Sequence, residues 1–417
     1  MSGAARDKVS DRSSATGSAK ASAAAIAERA AKLRQLLSDR TGDAEPAVIV
    51  RAPGRVNLIG EYTDFNLGFV LPAAIDLEVW IAFVPWDRPQ VELTSVEMGE
   101  TMSFSLEGLV KPDRRERTWI DYVAATAWAM HEAGLPIRGF RGVMNSTVPV
   151  GSGLSSSAAV EMASSWALAD TAGPRPEPGR MAAIAQRGEN AYVGVNCGIM
   201  DQFASAAGES GHALLIDCRA NTATTAPLPG HLSLVVCDTA APRRLNSSAY
   251  NTRRQECETG VRLIAEREPD VRSLRDVTPA MLARNRDRLP EVVARRCEHI
   301  VNEDDRVIEA VEALAADDID TVGRLFAASH SSLRDLLEVS SAELDVMVEI
   351  AQKVPGVVAS RLTGAGFGGC TINLVERGAE DELRSVVADE YPRRTGLKPR
   401  VYVVQAVDGA GPLEEGR

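Results

Sequence analysis

The chain has 417 residues, with 46 Lys and Arg against 58 Asp and Glu, a formal charge of −12. That acidic balance supplies no positive field to neutralise phosphates and argues against a nucleic-acid partner. At 45% hydrophobic and 25% charged the composition is that of a globular protein of two or three domains. Apolar runs such as Ala213-Leu214-Leu215-Ile216 fall far short of the roughly 20 residues a membrane helix needs.

Residues 1–25 are rich in Ala and Ser, lack a continuous apolar segment, and read as a flexible N-terminal extension without a secretory signal. An amphipathic segment follows at 26–37, and the β-branched run Val48-Ile49-Val50 then enters an expected turn at Arg51-Ala52-Pro53-Gly54. Strand patterns occupy 69–84, 91–96 and 101–106, and apolar residues at helical spacing cover 119–131 up to Gly134, a C-cap glycine. A strand at 142–148 leads into a Gly/Ser loop and an Ala-rich helix closed by Gly173-Pro174, and a second helix spans 181–193. Strands at 213–217 and 232–237 flank Pro227-Leu228-Pro229-Gly230, the expected domain boundary. Charged helices fill 252–350, and 357–404 alternates strand, glycine turn, strand, helix and strand. The expectation is an α+β fold without repeats, with units at 26–226 and 231–417. Six singly spaced cysteines, with no C-x-x-C pair, give neither a zinc site nor a disulfide framework and fit a reducing, cytoplasmic setting.

Four segments carry chemistry. Gly151-Ser152-Gly153-Leu154-Ser155-Ser156-Ser157 precedes a helix, where glycines open the backbone to an anion and the helix N-terminus adds positive potential; the plainer reading is a glycine turn with a serine N-cap. It lacks the Walker A lysine. Gly364-Ala365-Gly366-Phe367-Gly368-Gly369 has the form G-x-G-x-x-G but runs into a strand, so a dinucleotide site is excluded, and either a tight hairpin or close approach of a ligand or another loop remains. The stretch from Arg55 through Asn66 gathers carboxylates and an amide that suit a polyol, or a solvated acidic loop. In Gly198-Ile199-Met200-Asp201-Gln202 an Asp sits within an apolar run, as part of a site or of a structural ion pair.

In these loops the chain closely resembles the galactokinases of the GHMP kinase family. The agreement lies in Gly54-Arg55-Val56-Asn57-Leu58-Ile59-Gly60-Glu61, the 151–158 loop and the 363–370 loop, with Asn196-Cys197-Gly198-Ile199-Met200-Asp201-Gln202 and Tyr250-Asn251-Thr252-Arg253-Arg254 between them, over about residues 47–405. The resemblance implies a two-domain α+β GHMP kinase fold with the active site between the domains, and transfer of the ATP γ-phosphoryl group to the C1 hydroxyl of α-D-galactose. By matching position, Asp201 is the catalytic aspartate and Arg55 stabilises the transition state. Glu61, Tyr62, Thr63, Asp64, Gly198 and Tyr250 face the sugar. Ser95, Trp119 and Gly151, Ser152, Gly153, Leu154, Ser155, Ser156 and Ser157 bind the nucleotide, and Ser157 and Glu189 contact Mg²⁺. The partners implied are a sugar and ATP, with no nucleic acid or membrane, in a monomer or homodimer. The family usually reads G-E-H-T-D-Y where this chain has Gly60-Glu61-Tyr62-Thr63-Asp64-Phe65. Tyr62 therefore leaves a 1-kinase for glucose, arabinose or an amino sugar as the alternative. The reading of another class, a non-catalytic sugar-binding regulator, is opposed by the intact loop with Arg55 and Asp201 both present.

Overall fold

The computed structural model describes residues 10–42, 47–111, 117–169, 175–241 and 246–413, with backbone only for 10–22 and 246–248. Helix α1 (Ser10–Thr41) comes first, followed by strands β1 (Val48–Asn57), β2 (Phe69–Val70), β3 (Pro72–Trp86), β4 (Gln90–Ser95) and β5 (Glu100–Ser105). Helix α2 (Ile120–Glu132), strand β6 (Gly139–Ser146) and helices α3 (Ser156–Leu168), α4 (Pro178–Gly188) and α5 (Met200–Ala207) precede β7 (His212–Asp217), β8 (Thr222–Pro227) and β9 (Leu232–Asp238). The second half contains α6 (Asn246–Ala265), α7 (Pro279–Asn285), α8 (Glu291–Ala315), α9 (Ile319–Asp335), α10 (Ala342–Ala351), β10 (Val357–Thr363), β11 (Cys370–Glu376), α11 (Glu380–Thr395), β12 (Arg400–Val404) and β13 (Gly411–Pro412).

The strands form a six-stranded sheet in the order β13-β1-β3-β6-β4-β5, a four-stranded sheet β10-β11-β9-β12 and a three-stranded sheet β2-β7-β8. Helices α2 and α3 cover the first sheet, and one apolar core continues from Ile81 on β3 to Ile372 on β11. The α+β expectation holds.

Four local features differ from expectation. Residues 10–25 lie in α1 rather than in a flexible extension, as their Ala content favours; Ala30, Leu33 and Leu37 anchor the rest of that helix on Trp80 and Val84. Residues 1–9 lie outside the described residues, as does Gly173-Pro174. Arg51-Ala52-Pro53-Gly54 does not turn. Strand β1 runs straight through it, with a register shift between Pro53 and Gly54 that accommodates the proline as a bulge. Strand β8, too polar to read as a strand, pairs with β7 along its whole length. The predicted helix at 181–193 ends earlier, at Gly188, and continues as a π-helical turn, Glu189–Val193.

The chain end returns to the beginning. The Val407 N–H bonds the Ala74 carbonyl, and β13 pairs with β1, so residues after β12 pack on the first sheet. A second tie sits at the end of β1, where Thr363 Oγ1 accepts from the Asn57 N–H (3.0 Å) and donates to the Asn57 carbonyl (2.9 Å). That contact joins the segment carrying Arg55 to the glycine-rich turn after β10.

Candidate active site

The 151–157 loop winds through alternating left-handed residues, Gly151 at φ +75°, Gly153 at +84° and Ser155 at +59°. Backbone of this kind turns successive N–H groups to one side and makes a concavity for an anion. Strand β1 is pressed against it: a Cβ on Gly54 would lie 2.5 Å from the Leu154 carbonyl oxygen, and the Arg55 N–H donates to that oxygen at 3.2 Å. No side chain caps α3, so the first N–H groups of the helix face the loop unblocked.

Two of the loop serines turn inward. Ser152 Oγ donates to the Pro149 carbonyl at 2.7 Å, and Ser155 Oγ donates to Asp201 Oδ2 at 2.5 Å. Asp201 stands in the first turn of α5 with its side chain 27% exposed, whereas Arg55 is 5% exposed. Arg55 Nε and Nη2 reach Asp201 Oδ1 at 2.8 and 2.7 Å, and Nη1 donates to the Gly153 carbonyl at 2.7 Å. The expected ion-pair partner of Asp201 is therefore Arg55. The guanidinium aims the carboxylate at the mouth of the loop, while carboxylate lone pairs remain beyond the three contacts it accepts.

Beside it lies the polyol loop. Asp64 opens a short 3₁₀ turn, accepts from the Phe65 N–H at 2.9 Å, and abuts Gly198 so closely that a Cβ there would sit 1.8 Å from Asp64 Oδ2. Glycine at 198 is therefore required by space. Burial pushes the Asp64 carboxyl up to about 6, against the Phe65 hydrogen bond, and the nearby Asp201 charge adds to the rise. Thr63 is fully buried and donates to the Gly60 and Phe69 carbonyls, which closes the loop instead of lining the site. Glu61 is 1% exposed; Arg361 pairs with its Oε2, and the Gly364 N–H donates to Oε1 at 3.1 Å. Arg361 also donates to the Leu58 carbonyl and lies 3.7 Å from Glu303, which accepts from the Gly60 N–H. His299, held neutral by burial at about 4, bonds the Glu61 carbonyl.

Tyr62 adopts φ +68°, is 4% exposed, and donates its hydroxyl to the Ala365 carbonyl at 2.7 Å. Its ring packs on Tyr250 (5.1 Å) and Phe65 (6.0 Å). The hydroxyl proton is thus committed to the Ala365 carbonyl. Ser95 and Trp119 flank the β4–β5 hairpin: the Met98 N–H donates to Ser95 Oγ, and Trp119 Nε1 donates to Glu100. Glu189 opens the π-helical turn, within reach of the Ser157 hydroxyl, and burial raises the carboxyls of both Glu189 and its neighbour Glu161.

Comparison with known proteins bears on this geometry. The galactokinase galactose-binding signature matches residues 37–85, the GHMP kinase N-terminal domain 121–209 and the GHMP kinase C-terminal domain 310–393. A galactokinase of Roseiflexus sp. is 44% identical over 88% of this chain and 93% of its own length, and one of Chloroflexus aurantiacus is 42% identical with the same coverage. The chain belongs to the galactokinase family. The structure of Lactococcus lactis galactokinase complexed with galactose superposes with a TM-score of 0.86 at 32% identity, covering 91% of this chain and 98% of that one. A mevalonate kinase, at TM-score 0.61 and 18% identity over 87% of this chain and 99% of its own, shares the fold.

Within this galactokinase-family chain, the matched segments bring Arg55, Asp64, the 151–157 loop, Gly198 and Asp201 to one place. Sequence reading missed Arg361, Glu303 and His299, which hold the signature loop from behind. The available signal was Arg361 itself, a lone charge in a strand of buried residues. It also gave no role to Gln202 or Glu161.

Proposed function

We propose that this chain is a galactose 1-kinase, transferring the γ-phosphoryl group of ATP to the C1 hydroxyl of α-D-galactose in the cytoplasm. The observation that carries the reading is the Arg55–Asp201 pair at the mouth of an uncapped helix N-terminus, directly beside Asp64 and Gly198. In phosphoryl transfer the charge resides on the transferred group, so positioned cations and N–H donors matter more than a strong base. Asp201 orients the attacking hydroxyl and takes its proton. Arg55 faces the developing charge while holding Asp201 in place, and the loop N–H groups hold the phosphates. Asp64 accepts from sugar hydroxyls, and Tyr250 closes the pocket wall.

Ser157 and Glu189 are hard oxygen donors of the kind Mg²⁺ takes, and a buried Glu161 oxygen nearby lacks a hydrogen-bond partner; this donor set fits the ion. When bound there, Mg²⁺ would neutralise charge on the phosphate oxygens. A cytoplasmic location agrees with six cysteines that form no disulfide and with the finding that, among the described residues, no helix is long and apolar enough to cross a membrane.

The test is a panel of galactose, glucose, arabinose and amino sugars assayed for ATP-dependent sugar 1-phosphate. Galactose is expected to give the highest kcat/KM, and a better competitor would move the assignment to that sugar.

Two further outcomes are expected. Because Asp64 titrates near 6, it is ionised above that pH and accepts hydroxyl hydrogen bonds, whereas below it the proton blocks them. Galactose affinity by calorimetry is then expected to weaken up to about tenfold per pH unit below about 6, with a plateau above 7. A flat profile from pH 5 to 8 would count against Asp64 as a sugar acceptor. At Tyr62, Tyr62→Phe removes a hydrogen bond to a loop carbonyl and is expected to cost about 1 kcal/mol of stability. Its ratios of kcat/KM for galactose, glucose and arabinose are expected to change less than about threefold, since a substrate contact would move them more. A larger change would put the Tyr62 hydroxyl on the sugar.

A further inference from the structure

Gln202 follows the catalytic Asp201 in α5 and is fully buried. Its amide nitrogen donates to Glu189 Oε2 at 2.6 Å and to Glu161 Oε2 at 3.0 Å. One side chain thereby joins three elements: α3, which carries Ser157 and, one turn later, Glu161; the π-helical turn opened by Glu189; and α5. Glu161 has no exposed surface and Glu189 is 5% exposed, and among the described residues neither is in an ion pair. Two carboxylates this close repel, and an amide NH₂ is the neutral group that can donate to both at once. Its remaining oxygen and Glu161 Oε1 are buried without hydrogen-bond partners, and Cys197 Sγ, donating to Glu189 Oε2 at 3.3 Å, adds a further contact to the bridge.

We propose that Gln202 and Glu161 are positioning residues that fix the Glu189 carboxylate opposite Ser157 for the divalent cation, and that neither touches substrate. Glu161 anchors the amide, and the amide in turn orients Glu189 Oε2. Because Gln202 adjoins Asp201, the same bridge sets the spacing between the cation's carboxylate and the group that takes the proton. The inference rests on the reading of Glu189 and Ser157 as cation ligands. Supports of this kind change metal affinity by about 10- to 100-fold when removed.

The experiment compares wild type, Gln202→Leu, Glu161→Gln and Glu189→Gln by electron paramagnetic resonance titration of Mn²⁺ in the presence of a non-hydrolysable ATP analogue, alongside calorimetric galactose binding. Gln202→Leu is expected to weaken Mn²⁺ binding about tenfold or more and leave galactose affinity within about twofold, with excess Mg²⁺ restoring most of kcat. Glu161→Gln, which keeps an acceptor for the amide, is expected to shift Mn²⁺ binding in the same direction by a few-fold, and it decides the matter if Gln202→Leu does not fold. If Glu189→Gln weakens Mn²⁺ binding while Gln202→Leu and Glu161→Gln leave it unchanged, the positioning role is overturned and the ligand assignment stands. If Glu189→Gln also leaves it unchanged, both fall together.

Discussion

Asp201→Asn is expected to lower kcat by about two to four orders of magnitude while galactose and ATP affinities stay within a few-fold. The substitution preserves shape. Its amide oxygen can still accept from Arg55 or from Ser155, so the constellation that holds Asp201 against α3 survives in outline. What disappears is the negative charge that, in the proposed mechanism, orients the hydroxyl and receives its proton. Asp201 differs from the other acids of the site in being the one paired with Arg55 and in keeping 27% of its side chain exposed. Turnover numbers beside calorimetric affinities measure the split. A variant that kept more than about a tenth of normal kcat would show that positioning of the hydroxyl alone carries the reaction.

Arg361→Met is expected to produce the largest loss of stability. Arg361 is buried, pairs with Glu61, lies near Glu303 and supports the Leu58 carbonyl. Removing one partner of a buried pair leaves an uncompensated charge, a cost of about 3–5 kcal/mol, and for a chain of this size a fall in melting temperature of roughly 5 °C follows. Glu303 keeps Arg306, which with His299 and Arg361 holds its carboxyl at about 2 against the effect of burial. Glu61 keeps only the Gly364 N–H among the bonds its side chain makes.

The loss should also depend on pH. Burial already raises the Glu61 carboxyl, and Arg361 works against that rise. Without Arg361 the folded-state value climbs further above the unfolded one. The folded state then binds the extra proton, and stability falls as pH rises through that window. The variant is expected to melt closer to wild type at pH 5 than at pH 8. A loss of equal size at both values would mean that Glu61 does not titrate in the variant and that the cost is one of packing.

The parts of the site that could be read in the sequence are those whose backbone demands particular residues. Gly151 and Gly153 mark left-handed backbone, so the 151–157 loop stood out as a glycine cluster, while the segment after Gly198, which marks the close approach of Asp64, stood out through Asp201 in an apolar run. Strand and helix periodicity likewise located β4, β5, α2 and the β10–β12 region. Pro53-Gly54 misled because the same pair serves a bulge within a strand as well as a turn. The supports of the site were hidden because their partners are far apart in the chain: Arg361 meets Glu61 across 300 residues, and Gln202 meets Glu161 across 41. Tyr62 could be seen as a departure from the family pattern, but where its hydroxyl goes depends on the Ala365 carbonyl, 303 residues away.

The most direct measurement of the proposed reaction is nuclear magnetic resonance of the products formed from ATP and galactose labelled with ¹³C at C1. Phosphorylation at C1 splits the labelled carbon signal by coupling to phosphorus, and the account predicts this splitting in the α anomer alone, with ADP released in equal amount. ATP consumption with an unsplit C1 signal, or phosphorus coupled to another carbon, would contradict it.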